Sequence, residues 1–174
     1  MECSYFGACG SCSLYALDYE AQKTYKQEHI KGLFESLNMP PFEFFASPSE
    51  HYRGRSEFRI WKTDDTISYA MGAVDKKGAV CIEACPKVER KIYELMPHLI
   101  KVIESSKMLR EKLFAIEFLA SSEHLLVTLI YHKPLNSLWD EEARVLESQF
   151  GIFIIGRSRG MKRVLSQDFV KEVF

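Results

Sequence analysis

The segment Cys3-Ser4-Tyr5-Phe6-Gly7-Ala8-Cys9-Gly10-Ser11-Cys12 places three thiols in ten residues, at x5 and x2 spacing, and no cysteine follows until Cys81 and Cys85. A Cys-x2-Cys step lets two thiolates of one short loop bind one centre. Gly7 and Gly10 allow positive φ and close backbone approach, so amides can point at sulfur. Five cysteines is an odd number, and Met1-Glu2-Cys3-Ser4 carries neither a basic nor an apolar signal region, which argues against a disulfide framework. In a reducing compartment such a cluster marks a metal or redox site. Cys85 is the better candidate for a fourth ligand, because it precedes Pro86 and opens an expected helix; spacing alone does not decide between it and Cys81. Zinc is the rival to iron and sulfur, although structural zinc more often pairs two short knuckles and the second pair here is Cys-x3-Cys. Inert buried thiols are the plain reading.

Size and charge narrow the class. At 174 residues and 47% hydrophobic composition, the chain suits one domain with a sizeable core. Its 23 Lys+Arg against 24 Asp+Glu, net −1, exclude a polycation held to nucleic acid by bulk charge. Apolar runs such as Leu113–Ile116 and Ile152–Ile155 fall far short of the ~20 residues of a membrane span. A soluble, cytoplasmic monomer without a membrane partner is expected.

Periodicity predicts a helix from Asp18 to Leu37, with Ala21, Tyr25, Ile30, Leu33, Phe34 and Leu37 at mostly three- and four-residue spacing, stopped by Asn38-Met39-Pro40-Pro41. Ser56–Trp61 alternates Phe58 and Ile60 against Glu57, Arg59 and Trp61, as a strand does. A turn at Asp64-Asp65 leads to a second strand, Ile67–Val74, and a turn at Lys76-Lys77-Gly78 leads to Val80-Cys81-Ile82. A helix is expected over Pro86–Ser105, kinked or broken at Pro97. Leu113–Ala120 and Leu125–Tyr131 form a hairpin, Ser137–Phe150 a helix, and Phe153–Arg157 and Arg163–Leu165 the last strands. This order predicts an α+β fold: a mainly antiparallel sheet with ββα units, preceded by a cysteine loop and helix. The expected division is a cysteine loop and helix over 1–40 and an α+β domain over 41–174.

The near-zero net charge hides two basic segments. His51–Lys62 carries Arg53, Arg55, Arg59 and Lys62 against Glu57 alone, with Tyr52, Phe58 and Trp61 between them; Arg157–Arg163 carries four cations and no acid. His132 and Lys133 end a further strand. Arginines at strand ends near aromatic rings suit a looped or single-stranded RNA, whose phosphates pair with Arg and whose unstacked bases lie on rings. A solvated sheet face is the plain alternative. No glycine-rich phosphate loop, paired metal carboxylates or His-x-x-x-His occurs. Gly156-Arg157-Ser158-Arg159-Gly160 matches a nucleophile elbow in letters only, since it joins two strands and reads as a basic turn.

Cys-x5-Cys-Gly-x-Cys followed by Cys85 resembles the iron–sulfur motif of the bacterial 23S rRNA uracil-5-methyltransferases. The body resembles the tRNA (uracil-5-)-methyltransferases more closely. The strings that carry this are His51-Tyr52-Arg53-Gly54-Arg55-Ser56-Glu57-Phe58-Arg59-Ile60-Trp61, Leu129-Ile130-Tyr131-His132-Lys133-Pro134-Leu135, Trp139 with Glu142-Ala143, and Ile155-Gly156-Arg157. The likeness implies a 4Fe-4S cluster on Cys3, Cys9, Cys12 and Cys85, with zinc the alternative. It also implies contacts to tRNA from Arg53, Arg55, Arg59, Arg157, Tyr52 and Phe58, with 23S rRNA the alternative substrate. In such enzymes a cysteine thiolate adds to C6 of uracil, C5 takes a methyl group from S-adenosylmethionine, and a base removes the C5 proton as the thiolate is eliminated from C6, freeing the enzyme. The resemblance implies that thiolate, base and cofactor fold lie in a Rossmann-like domain expected C-terminal to residue 174. This chain then holds no complete Rossmann domain, no catalytic residue and no S-adenosylmethionine site, and alone it is expected not to methylate. A stand-alone RNA-binding or iron–sulfur module is the other reading.

Overall fold

The computed structural model describes residues 3–37, 39–63 and 66–173, so the expected Asp64-Asp65 turn lies outside the described residues. Seven strands form one sheet in the order β3-β2-β1-β4-β5-β6-β7. They are β1 (Arg55–Lys62), β2 (Ile67–Gly72), β3 (Ala79–Ile82), β4 (Leu113–Ala120), β5 (Leu125–Tyr131), β6 (Phe153–Ser158) and β7 (Met161–Val164). Every pairing is antiparallel except β5 with β6, which run parallel. The helix α4 (Ser137–Phe150) makes the crossover that a parallel pair requires. The two hairpins expected from alternation are present; the third strand after Gly78 and the parallel pair are additions.

Helices cover one face. Phe58 of β1, Ile116 and Phe118 of β4, Val127 and Leu129 of β5 and Ile154 of β6 share that face by register and are buried. Over them lie Ile92, Leu95, Met96, Leu99 and Ile103 of α2 (Arg90–Ser105), at the spacing that gives a helix one apolar stripe. Trp139, Ala143 and Leu146 of α4 complete the layer. A four-residue helix, α3 (Lys107–Arg110), follows α2. Pro97 sits inside α2, which is assigned as one helix throughout. The expected start at Pro86 is corrected to Arg90, with Glu89 as N-cap. Residues 86–89 are instead held by the segment before β1: His51 N donates to Pro86 O, Arg53 N to Lys87 O and Glu89 N to Arg53 O.

The first helix, α1 (Tyr19–Leu33), starts at the Asp18 cap, where Oδ1 accepts from Ala21 N at 2.8 Å. It ends at Leu33 rather than Leu37, and it buries no residue. Tyr25, Leu33, Phe34 and Leu37 stay exposed. No helix among the described residues is long and apolar enough to cross a membrane.

Candidate functional site

The cysteine loop is stitched to the β2–β3 hairpin. Gly10 N donates to Gly72 O, Val74 N donates to Ala8 O, each at 2.9 Å, and Tyr5 Oη accepts from Glu83 N at 3.0 Å. Both glycines are required there. Gly7 has φ +86°, and a Cβ on Gly10 would stand 3.0 Å from Ala73 O. Cys3, Cys9, Cys12 and Cys85 line one pocket, with Tyr5, Phe6 and Ile82 among its apolar walls. All four are half-buried, whereas Cys81 is exposed on β3 and does not line that pocket. Burial pushes the Cys12 thiol up, opposed by Lys87 and reinforced by Cys9 and Cys3. Burial likewise raises Cys85, opposed by a backbone hydrogen bond from Lys87 and reinforced by the other three thiols. Among the described residues, no three His, Cys, Asp or Glu side chains are grouped to hold a single metal ion.

On the second face of the sheet Ala115, Leu126, Thr128 and Ile155 are buried, while the cations and Trp61 along it are exposed. By register Arg55, Glu57, Arg59 and Trp61 of β1 share it with Glu117 of β4, Thr128 and Ile130 of β5, Arg157 of β6 and Lys162 of β7. A register shift between Leu113 and Ala115 gives β4 an extra residue, Phe114. The Arg59 guanidinium stands 5.8 Å from the Phe114 ring centroid, and Phe114 stacks on His132 at 4.4 Å. Lys62, Lys112, His132, Lys133, Arg157 and Arg159 gather at that end of β1, β4, β5 and β6. Burial and then the charges of Lys112 and Lys133 hold Lys62 below the ordinary lysine range, the mark of crowded cations.

The expected RNA-contacting residues divide between places. Arg59 and Arg157 lie on the second face without an ion-pair partner among the described residues. Arg55 shares that face but forks onto Glu117, with Nε 2.7 Å from Oε1, so its charge is neutralised. Arg53 and Tyr52 lie at the opposite end of β1, beside the cysteine loop. Phe58 is a correction: it is 2% exposed and packs edge-on against Tyr69 and Phe118, so its ring is closed to a base. Phe114 and Trp61 take the outward place, and Trp61 is 51% exposed. The alternation of β1 pointed to Trp61; nothing in the sequence announces the bulge that adds Phe114. Ser158 Oγ donates to Lys133 O at 2.7 Å in the β6–β7 turn, as befits a turn serine.

Fold and site together define an α+β domain with a thiol pocket at one end of a sheet and a basic, ring-bearing face. The chain belongs to the family described as tRNA (Uracil-5-)-methyltransferase, whose pattern matches residues 18–174. That match begins after the cysteine loop. A tRNA/tmRNA (uracil-C(5))-methyltransferase of Sulfurovum sp. is 44% identical over 174 residues, covering 99% of this chain and 47% of the relative. Its counterpart in Sulfurimonas denitrificans is 44% identical over 175 residues with the same coverage, and one from Neisseria meningitidis is 43% identical over 160 residues, 89% of this chain and 44% of the relative. The chain spans about half the length of the curated relatives it matches. The crystal structure of Pyrococcus abyssi tRNA (uracil-54, C5)-methyltransferase in complex with S-adenosyl-L-homocysteine shares the fold, with a TM-score of 0.58 at 17% identity over 84% of this chain and 36% of that one.

Proposed function

We propose that this chain is the RNA-engaging, cysteine-bearing part of an enzyme that transfers a methyl group from S-adenosylmethionine to C5 of a uridine in tRNA. The observation that carries this reading is the exposed cations of the second sheet face, where Arg59 and Arg157 have no ion-pair partner among the described residues and lie beside the Phe114–His132 stack. Cations without carboxylate partners are free to neutralise phosphates, and the rings can take unstacked bases. A uracil in a folded loop must leave its stack before its C6 can be attacked. This face would hold the loop by its backbone while a second domain, within the further length that the relatives possess, acts on the base. The attacking thiolate is placed in that second domain, since Cys3, Cys9, Cys12 and Cys85 are taken up by one shared pocket and Cys81 stands apart on β3.

The four pocket cysteines are read as ligands of a 4Fe-4S cluster. The donor set fits: four half-buried thiols face one pocket. Such a cluster takes one thiolate on each iron and so needs a wider frame than a zinc ion, whose sulfurs all lie about 2.3 Å from one centre. Bound there, the cluster would tie the N-terminal loop to the Cys85 turn, a structural role; methyl transfer consumes no electron. The test of the RNA reading is tRNA affinity at two salt concentrations. Arg59→Ala and Arg157→Ala should each weaken binding and make its salt dependence shallower. Unchanged affinity in both would refute it.

A further inference from the structure

A second pocket lies at the opposite end of β1 from the Lys62 cluster, between the cysteine loop, the start of α1 and the first two strands. Strand β1 has 8 residues, so the two places are about 25 Å apart. Three cations border it, Arg53, Lys26 and Lys87, and none has an ion-pair partner among the described residues. Elsewhere Arg55, Lys133, Lys162 and Arg163 are each matched to a carboxylate. One acid, Glu57, lines the pocket against the three.

Its aromatic side is equally defined. Lys87 Nζ stands 5.3 Å from the Tyr52 ring centroid and 5.7 Å from that of Tyr15. The half-buried ammonium is thus held between two rings, while Tyr52 keeps 41% of its surface open. A ring with an open face and partnerless cations match two parts of a nucleotide, base and phosphate. Backbone bonds between His51–Arg53 and Pro86–Glu89 fix Tyr52 and Arg53 beside Lys87, so the site is built before a ligand arrives. Cys12, Cys85 and Tyr15 line this pocket and the cysteine pocket alike, so the seating of the cysteine loop shapes both.

We propose that this pocket receives one nucleotide of the RNA chain, its phosphate held by Arg53, Lys26 and Lys87 and its base laid against Tyr52. The proposal rests on the reading of the protein as RNA-engaging. The RNA would then touch the domain at two places, one at each end of β1.

The experiment is anisotropy titration of fluorescent tRNA with the anaerobically purified protein across a salt series. Arg53→Ala, Lys87→Met (which keeps the aliphatic stem) and Tyr52→Ala should each raise Kd about tenfold. Arg53→Ala and Lys87→Met should also make the log–log salt slope shallower by about 0.7. Tyr52→Phe, which keeps the ring, should bind as wild type, separating contact from a folding defect. Variants that bind as tightly as wild type with the same slope would overturn the proposal and leave the reading of the second face intact. Wild-type protein without tRNA affinity would instead sink the reading on which it rests. Uridine monophosphate competing as well as an oligouridylate would also overturn it, assigning the pocket to a free nucleotide.

Discussion

Gly156 lies flat beneath Trp139: a Cβ built on this glycine would stand 2.5 Å from Trp139 Cη2 and 2.5 Å from Leu135 Cδ1. β6 pairs on both sides, and α4 drops its largest buried side chain onto the one position of that strand with no side chain of its own. The strand can carry Arg157 to the second face only if the preceding residue lets α4 settle on the other.

Gly156→Ala should therefore destabilise the protein by about 1–3 kcal/mol, the cost of overpacking a filled core. Urea denaturation measures this. An unchanged midpoint would mean that α4 rides higher on the sheet than the structure shows.

The alkaline limb of stability should depend on Tyr69 and Tyr131. Both are buried, Tyr69 Oη donates to Met96 O and Tyr131 Oη to Leu109 O, and burial lifts both phenols far above the ordinary value of 10.0. The unfolded chain releases these protons near pH 10 while the folded chain keeps them. Stability is therefore full below pH 10 and falls as pH rises above it, by about 1.4 kcal/mol per pH unit for each tyrosine. Tyr131→Phe should remove one tyrosine's share of that slope. Denaturation midpoints at pH 9, 10 and 11 for variant and wild type test this, and parallel slopes would contradict it.

Arginines of the same strand should differ in their effect on tRNA binding. Arg55→Ala removes a charge already committed to Glu117, whereas Arg59→Ala removes one that lies over the Phe114 ring. Affinity should fall about tenfold for Arg59→Ala and by a much smaller factor for Arg55→Ala. Equal losses would show that the Arg55–Glu117 pair opens to admit RNA.

This difference marks where the sequence stops being legible. Alternation in β1 shows that Arg55, Arg59 and Trp61 share a face opposite Phe58 and Ile60. It cannot show that Glu117, sixty-two residues later, stands beside Arg55. Phe58 reads as a ring among arginines in one dimension, and only the helix-covered face shows it to be core. Pro86 looks like a helix start, but its carbonyl and that of Lys87 accept from the His51–Arg53 segment, so the helix waits until Arg90. The parallel β5–β6 pair needs the crossover to be seen in space. By contrast, the thiol spacing does mark Cys3, Cys9 and Cys12 as neighbours on one short loop, whereas it is the packing of that loop on the β2–β3 hairpin that sets Cys85 rather than Cys81 on their pocket.

Metal content should separate the two later cysteines. Anaerobically purified protein should contain about four irons and four acid-labile sulfides per chain, with a broad visible absorption band. Cys85→Ser should abolish both, and Cys81→Ser, altering a thiol outside the pocket, should leave them in place. Zinc near one per chain would replace the centre while keeping the pocket. Loss on Cys81→Ser alone would reassign the fourth ligand.

The proposed methylation of tRNA uridine at C5 is measured most directly as the 5-methyluridine content of tRNA, by mass spectrometry of nucleosides from cells lacking this gene. The modified nucleoside should disappear from tRNA, return when the gene is restored, and return weakly or not at all with Arg59→Ala and Arg157→Ala combined. Undiminished 5-methyluridine in tRNA, with a loss from 23S rRNA instead, would contradict it.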